Sequence, residues 1–203
     1  MNQISSIIYR TFEWITRFAY LQLLWAVFTL AGGILFGLIP STVAVYAIIR
    51  SWLRGNTDIP LFSSFWNYYK NDFLKSNKLG ILIYLIFLLI GLDFIYLQEI
   101  DQSIVTWMHA PLFAFMLLSM LFVFYLFPAF VHFDLNNHSI VKHAFFIMLI
   151  HPFHSLLMVL SLASLFIIIY YFPAIGLIFG VSSIAYITMW LALHAFNKVQ
   201  KKN

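Results

Sequence analysis

Long apolar runs alternate with short polar segments along the chain. No Asp, Glu, Lys or Arg occurs between positions 18 and 49, between 102 and 133, or between 143 and 197. Apolar runs of about 18 residues or more are typical of transmembrane helices. The pattern therefore predicts membrane spans at 79–97, at about 110–131, at about 147–172 and at 174–196, each long enough to cross a hydrocarbon core about 30 Å thick.

The charge-free stretch from 143 to 197 is too long for one crossing, because a single helix of that length would extend roughly 80 Å. A turn must interrupt it. Pro173, followed closely by Gly176, predicts where the chain turns, since both residue types interrupt helices.

The first apolar run, from 18 to 49, poses the same problem because it would extend about 48 Å as one helix. Its middle reads GGILFGLIPS, from Gly32 to Ser41. In one arrangement a single span ends near Pro40 and the rest lies on the membrane surface. In the other the chain turns at the glycines and returns as a short second span, giving a helical hairpin at about 12–54. Gly32, Gly33, Gly37 and Pro40 suit a turn.

The positions of the basic residues favour two early crossings. Cytoplasmic segments near membrane ends carry an excess of Lys and Arg. If the chain crosses twice before Arg50, all 11 basic residues face the cytoplasm, with both termini on that side. If it crosses once, Arg10 and Arg17 lie opposite all the others. A short re-entrant helix over 40–54 remains an alternative, because about 22 Å of helix barely crosses a bilayer.

The segment 55–78 has a different pattern. Its aromatic residues recur at spacings of three and four, while polar residues lie between them; the aromatic positions are Phe62, Phe65, Trp66, Tyr69 and Phe73. This spacing predicts an amphipathic helix lying at the membrane interface on the cytosolic side. A cytosolic helix packed beneath the bundle fits the pattern equally well.

Composition agrees with the spans. The chain of 203 residues is 63% hydrophobic and 9% charged, whereas soluble domains are about a quarter charged. We therefore expect one all-α integral membrane domain over 1–203, a polytopic bundle of five to six transmembrane helices plus the interfacial helix. The net charge of +4 does not indicate nucleic-acid binding, because the basic residues lie between apolar runs instead of on one face.

Few residues suggest chemistry inside the membrane. Asp93 is the one carboxylate within a predicted span, and intramembrane charges are costly enough to raise a functional hypothesis. A carboxylate hydrated near the outer boundary is the simpler interpretation. Gly33 with Gly37, and Gly176 with Gly180, form GxxxG spacings that let helices approach closely, although the first pair fits a turn equally well.

The sequence predicts no cofactor, metal site or catalytic residue. The seven histidines include no pair with the HExxH spacing that directs two imidazoles at one ion, and the chain has no cysteine. Nucleophile elbows, phosphate loops and dinucleotide fingerprints are missing as well. We therefore interpret the histidines, among them His132, His138 and His143, as polar residues at the interface.

A family resemblance lies between Gly33 and Gly80. The pattern G-x-x-F-G-x-x-P-S at 33–41 is followed by Arg50-x-Trp52, Phe65-Trp66, Tyr69-Lys70 and further Gly, Pro, Phe and Ser positions. This pattern resembles the YesL-like family of bacterial membrane proteins, a domain-of-unknown-function family. The resemblance implies a bacterial cell membrane location and encoding beside binding-protein-dependent sugar importers and polysaccharide-degrading enzymes. It implies no catalytic residues.

These observations lead to two main functional hypotheses, with a metal-dependent membrane enzyme as a third alternative. The first is a non-enzymatic accessory of a carbohydrate uptake system, contacting the lipid bilayer and an ABC-type sugar permease through aromatic and basic residues; these are Arg50, Trp52, Arg54, Phe65, Trp66, Tyr69, Lys70 and Phe73. The second is a small transporter or channel acting on its own, for which Asp93 is the best candidate residue. The sequence predicts no oligomeric state.

Overall fold

The computed structural model describes the backbone at residues 3–99 and 106–200, and side chains at 7–96 and 110–197. Within these ranges the chain forms seven α-helices and no strand. They are α1 (Gln3–Ala31), α2 (Leu35–Leu53), α3 (Leu61–Glu99), α4 (Thr106–His132), α5 (Asn137–Ile150), α6 (Pro152–Tyr171) and α7 (Pro173–Gln200). The side chains of the basic tail, Lys198, Lys201 and Lys202, lie outside the described residues.

Six of the described helices are long and apolar enough to cross a membrane: all but α5. The all-α prediction with five to six spans is confirmed. The predicted second early span is among the six, as α2, a helix of 19 residues. The length and composition of α2 favour the arrangement in which the chain crosses twice before Arg50, rather than the one in which α2 lies on the membrane surface.

α1 and α2 form an antiparallel hairpin. Trp25 Nε1 donates to Thr42 Oγ1 at 3.1 Å, and the Trp14 and Trp52 rings meet at 5.5 Å farther from the turn. The three-residue connection begins with Gly32 and contains Gly33, whose φ of +75° is in the left-handed region that favours glycine.

Gly37 lets the two helices of the hairpin approach closely. A Cβ placed there would lie 2.4 Å from the Thr29 carbonyl oxygen and 2.8 Å from that of Phe28. Pro40 lies inside α2 and is buried, so the turn precedes it. The expectation that Pro40 belongs to the turn is therefore corrected.

α2 lies at the centre of the bundle and contacts α1, α3, α4 and α7. Hydrogen bonds between helices accompany the apolar core. Tyr46 and Thr188 hydroxyls lie 2.8 Å apart, and Gln22 Oε1 on α1 accepts from the backbone of Val181 on α7 at 3.0 Å. Such bonds connect helices where lipid offers no hydrogen-bonding partner.

The segment expected as an interfacial helix and the span expected at 79–97 are one continuous helix, α3, of 39 residues. Its N-terminal half contains no Gly or Pro, and Gly80 permits close contact without ending the helix. A Cβ at Gly80 would lie 2.9 Å from Ile39 Cγ1 of α2. Two tyrosines of α3 also contact the hairpin turn: Tyr69 donates to the Phe28 carbonyl at 3.3 Å, and Tyr84 to that of Leu35.

The span expected at 147–172 begins instead at Pro152, because the chain breaks at His151. Proline has no N–H to donate and suits the first position of a helix, so α5 ends before it and α6 begins with it. The turn expected near Pro173 is present, with Phe172 between α6 and α7. A Cβ placed at Gly176, in the first turn of α7, would lie 2.6 Å from Ile169 Cγ2 of α6, whereas a Cβ at Gly180 would meet no atom within 4 Å.

Candidate functional site

The last turn of α2 places Arg50 and Trp52 near two other helices. Trp52 is 4% exposed and lies between the rings of Trp14, at 5.5 Å, and Phe18, at 5.8 Å. Arg54 follows α2 in an exposed turn. Of the aromatic and basic residues predicted on this helix end, Trp52 thus contributes to packing and Arg54 to the surface.

The first half of α3 has two distinct faces. Phe65 is 0% exposed and Tyr69 is buried, and both rings contact Phe28 of α1, at 5.0 and 5.1 Å. Phe73 is half-buried against Tyr69. These three residues hold α3 against the hairpin, because the period of 3.6 residues directs them toward it.

The edge of this packed face carries four exposed side chains at four-residue spacing, Phe62, Trp66, Lys70 and Leu74, which we call the α3 stripe. Trp66 is 45% exposed, although one face of its ring lies 5.6 Å from Phe28. Positions four apart lie above one another on a helix, so the stripe is a continuous strip of aromatic, basic and aliphatic groups.

A polar cavity of about 250 Å³ lies between the end of α2, the middle of α3 and the end of α4. Its charged members are Arg50, Asp72, Lys75 and Asp134, and the remaining lining side chains are Ala47, Tyr68, Phe130, Val131, His132 and Phe133. Other cavities, such as those beside Trp25 and beside Leu117, are lined almost entirely by apolar side chains.

Lys75 connects two walls of this cavity. Its Nζ lies 3.8 Å from Asp134 Oδ1 and 5.2 Å from the centre of the Phe130 ring. Asn137, at the start of α5, donates from Nδ2 to the Lys75 carbonyl at 3.0 Å. The α4–α5 connection is thereby held against α3.

Arg50 forms the third wall. Its Nη2 is 3.5 Å from the His132 carbonyl oxygen, and no carboxylate lies within 4.0 Å of its guanidinium among the described side chains. Arg50 Nε and His132 Nδ1 are both buried without a hydrogen-bonding partner in the protein. Buried polar atoms are normally satisfied, so these two mark a place where a polar ligand would gain most.

Sequence reasoning singled out Arg50 but missed its neighbours as a site. Asp72 and Lys75 are three residues apart on α3, a spacing that places both on one face of the helix. His132 is the last residue of α4, and Asp134 follows two residues later. These local spacings could be recognised in the sequence. That three segments distant in the sequence meet at one cavity could not be predicted from it.

The remaining predicted residues lie elsewhere. Asp93 is half-buried on α3 and forms no salt bridge with any described side chain. Among the described residues, no three His, Asp or Glu side chains group closely enough to hold a metal ion.

Comparisons with known proteins agree with the resemblance read from residues 33–80. The family model "Protein of unknown function, DUF624" matches residues 18–94, which include the α1–α2 hairpin turn, the end of α2 and most of α3. No solved structure matches the chain.

Three proteins of Bacillus subtilis (strain 168) are similar over most of their lengths. "Uncharacterized protein YteU" is 36% identical over 93% of this chain and 85% of its own, and "Uncharacterized protein YesL" is 31% identical over 93% and 89%. "Uncharacterized protein YesV" is 29% identical over 98% and 96%. The chain belongs to this DUF624, YesL-like family.

Proposed function

We propose that the protein is a non-enzymatic membrane component that binds a partner protein through the α3 stripe, and that this partner is the permease of an ABC-type carbohydrate importer. The observation that carries the binding role is the exposure of Trp66 and Lys70 next to the packed face of the same helix. Aromatic residues are enriched in the contacts between proteins. The choice of a carbohydrate importer rests on what the family resemblance implies.

Crosslinking in native membranes, followed by purification of the tagged protein, tests this proposal. We expect a permease subunit to be recovered with the natural chain and to be lost, or reduced at least about fivefold, with Trp66→Ala, since central aromatic residues commonly dominate an interface. Lys70→Glu reverses an exposed charge and should weaken recovery without disturbing the contact with Phe28.

The matched control is Trp190→Ala. Trp190 lies on α7 and is 47% exposed, close to the 45% of Trp66, so the substitution removes the same side chain from another surface. Recovery should be unchanged in this variant. Equal recovery from the Trp66 and Trp190 variants would reject the α3 stripe, and recovery of no transport subunit from the natural chain would reject the partner.

We also propose a bacterial cell membrane location with both termini in the cytoplasm. An even number of crossings brings the termini to one side, and the distribution of basic residues favours the cytoplasmic one. Because the chain has no cysteine, single cysteines can be introduced without background. An impermeant maleimide applied to intact cells should label Phe172→Cys, between α6 and α7, and leave Asn56→Cys unlabelled; the reverse pattern would invert the orientation.

The alternative is a small transporter or channel acting alone. Two polar side chains within the spans already have partners, because Gln22 Oε1 accepts from the backbone of α7 and Ser182 Oγ donates to the Phe179 carbonyl, which leaves fewer groups for a translocation path. Flux through proteoliposomes containing only this protein tests the alternative. Flux that falls in Asp93→Asn would support it, and absence of flux above empty vesicles would reject it.

A further inference from the structure

The polar cavity separates positive from negative charge. Arg50 lies at one end, where its Nη2 is 3.5 Å from the His132 carbonyl oxygen and Arg54, one helical turn later, adds a second positive charge. Asp72 lies at the other, where its neighbours are Lys75 and Asp134. Lys75 pairs with Asp134 at 3.8 Å, so the additional carboxylate of Asp72 makes that end net negative. The cavity is therefore dipolar, unlike a site built for a simple anion.

Two polar atoms at the positive end lack partners. Arg50 Nε and His132 Nδ1 are buried and bond to nothing in the protein. A desolvated guanidinium without a carboxylate costs free energy, which a bound oxyanion would offset through charge-assisted hydrogen bonds. Arginine suits this role because its planar fork can hold two oxygens of a phosphate.

We propose that this cavity binds a zwitterionic phosphate monoester or diester bearing a primary ammonium, the chemistry of phosphoethanolamine. The Arg50 and His132 side chains, which both line the cavity, hold the phosphate, and Asp72 accepts hydrogen bonds from the ammonium. Tyr68 and Phe130 line the space between the two ends. A volume of about 250 Å³ is just below that of pockets for drug-sized ligands, about 300–1,000 Å³, and suits a group as small as a headgroup.

Two sources carry this chemistry: the headgroup of a phospholipid in the surrounding bilayer and a free phosphoethanolamine. The ligand recognition is the same in both. Arg50 is in the last turn of α2 and His132 is the last residue of α4, so the cavity opens where helices end. A headgroup can reach such a position from the interface.

Calorimetric titration of the purified full chain in detergent tests the recognition. The probes are phosphoethanolamine, inorganic phosphate and ethanolamine, each alone. We expect phosphoethanolamine to bind about tenfold or more tightly than either fragment, because it engages both ends of the cavity. Equal binding of phosphoethanolamine and inorganic phosphate would overturn the dipolar assignment.

Two substitutions separate the ends. Arg50→Gln should abolish binding of both phosphate-containing probes, whereas Asp72→Asn should leave inorganic phosphate binding intact and remove the preference for phosphoethanolamine. Arg10→Gln and Asp58→Asn, both at exposed positions away from the cavity, are the matched controls and should change neither. If Arg50→Gln fails to fold, Arg50→Lys keeps the charge, removes the fork and should weaken phosphate binding. Unchanged affinities in the folded Arg50 and Asp72 variants would reject the site.

Nanodiscs distinguish the two sources. In discs of phosphatidylethanolamine, a bound headgroup would weaken the binding of free phosphoethanolamine at least about tenfold relative to discs of phosphatidylcholine and phosphatidylglycerol. That result assigns the site to the lipid. Equal binding in both discs, with the Arg50 and Asp72 effects retained, assigns it to the free compound. Failure of phosphoethanolamine to bind in detergent and in both discs would overturn the proposal.

Discussion

α2 and α3 are consecutive spans with opposite surroundings. In an apolar window of 18 residues, 61% of the residues of α2 are buried inside the protein, whereas only 17% of those of α3 are. Yet the buried helix is the less apolar of the two. In a soluble protein the relation would be reversed. For these two spans, the difference indicates that the more apolar stretch faces lipid and that the protein interior accepts small and polar groups.

The physical reason is that lipid tails are as apolar as a leucine side chain, so burying an apolar surface between helices gains little over leaving it in lipid. Close packing and hydrogen bonds hold the helices together instead. α2 provides both, with buried Ser41 and Ala44 allowing close approach and Tyr46 bonding to α7. α3 beyond Gly80 presents large side chains, such as Leu85, Leu88 and Leu92, to the outside.

The largest difference in stability between α2 and α3 variants is expected when one aliphatic side chain is shortened in each helix. Ile48 of α2 is 0% exposed, and Ile48→Ala should lower the free energy of unfolding by about 2 kcal/mol or more, because a cavity remains in a packed interior. Leu88 of α3 is 61% exposed, and Leu88→Ala should cost less than about 0.5 kcal/mol, since lipid or detergent refills the space. Reversible unfolding in mixed micelles, followed by circular dichroism, measures both.

The comparison between helices would fail if Leu88→Ala cost as much as Ile48→Ala. That outcome would mean that α3 is packed against another protein surface under the conditions of measurement. Repeating the pair at a tenfold lower protein concentration distinguishes self-association, because a dimer's stability depends on concentration whereas a monomer's does not.

The next contrast compares two glycines. Gly37→Ala in α2 places a Cβ 2.4 Å from a carbonyl oxygen of α1, and the strain should cost about 1–3 kcal/mol. In Gly91→Ala of α3 the new Cβ meets nothing within 4 Å. The free energy of unfolding should therefore stay the same or rise by up to about 1 kcal/mol, because alanine has the higher helix propensity. Thermal unfolding midpoints in detergent measure the two. A stable Gly37→Ala protein would show that the hairpin can open to accept a methyl group.

The sequence predicted much of the architecture for identifiable reasons. Gly32 and Gly33 indicated the hairpin turn: Gly33 has a positive φ that favours glycine, and a Cβ at Gly32 would lie 2.4 Å from Gly37 Cα. The start of α6 was misplaced because the apolar run continues through His151, although Pro152 indicates a helix start there. The relative burial of α2 and α3 could not be predicted, because both are apolar runs and their neighbours are set by tertiary packing.

The polar cavity was beyond prediction for a similar reason. Arg50, Asp72 and His132 each follow local rules for polar residues near helix ends or membrane interfaces. Nothing in their spacing indicates that they share a cavity, because α2, α3 and α4 meet only through the folding of the whole bundle. The partly buried guanidinium, with its Nε left unbonded, is a feature of the assembled structure alone.

The smallest contrast concerns one hydroxyl in each helix. The Tyr46 hydroxyl lies 2.8 Å from Thr188 Oγ1, whose own proton can be donated to the Ile184 carbonyl, so we expect Tyr46 to be the donor. Tyr46→Phe removes this bond and keeps the stacking on Phe127, at 5.3 Å. The expected cost is about 0.6 kcal/mol and at most about 1.7, the range of hydrogen bonds between membrane helices.

Tyr96→Phe is the control in α3, where the side chain is 47% exposed and its hydroxyl has no partner among the described groups. Its effect on unfolding should be within about 0.3 kcal/mol of zero. The double variant of Tyr46→Phe with Thr188→Val isolates the bond itself, since their coupling energy excludes the separate loss of the Thr188–Ile184 contact. A coupling near zero would mean that close packing around α2, without this hydrogen bond, suffices to hold it against α7.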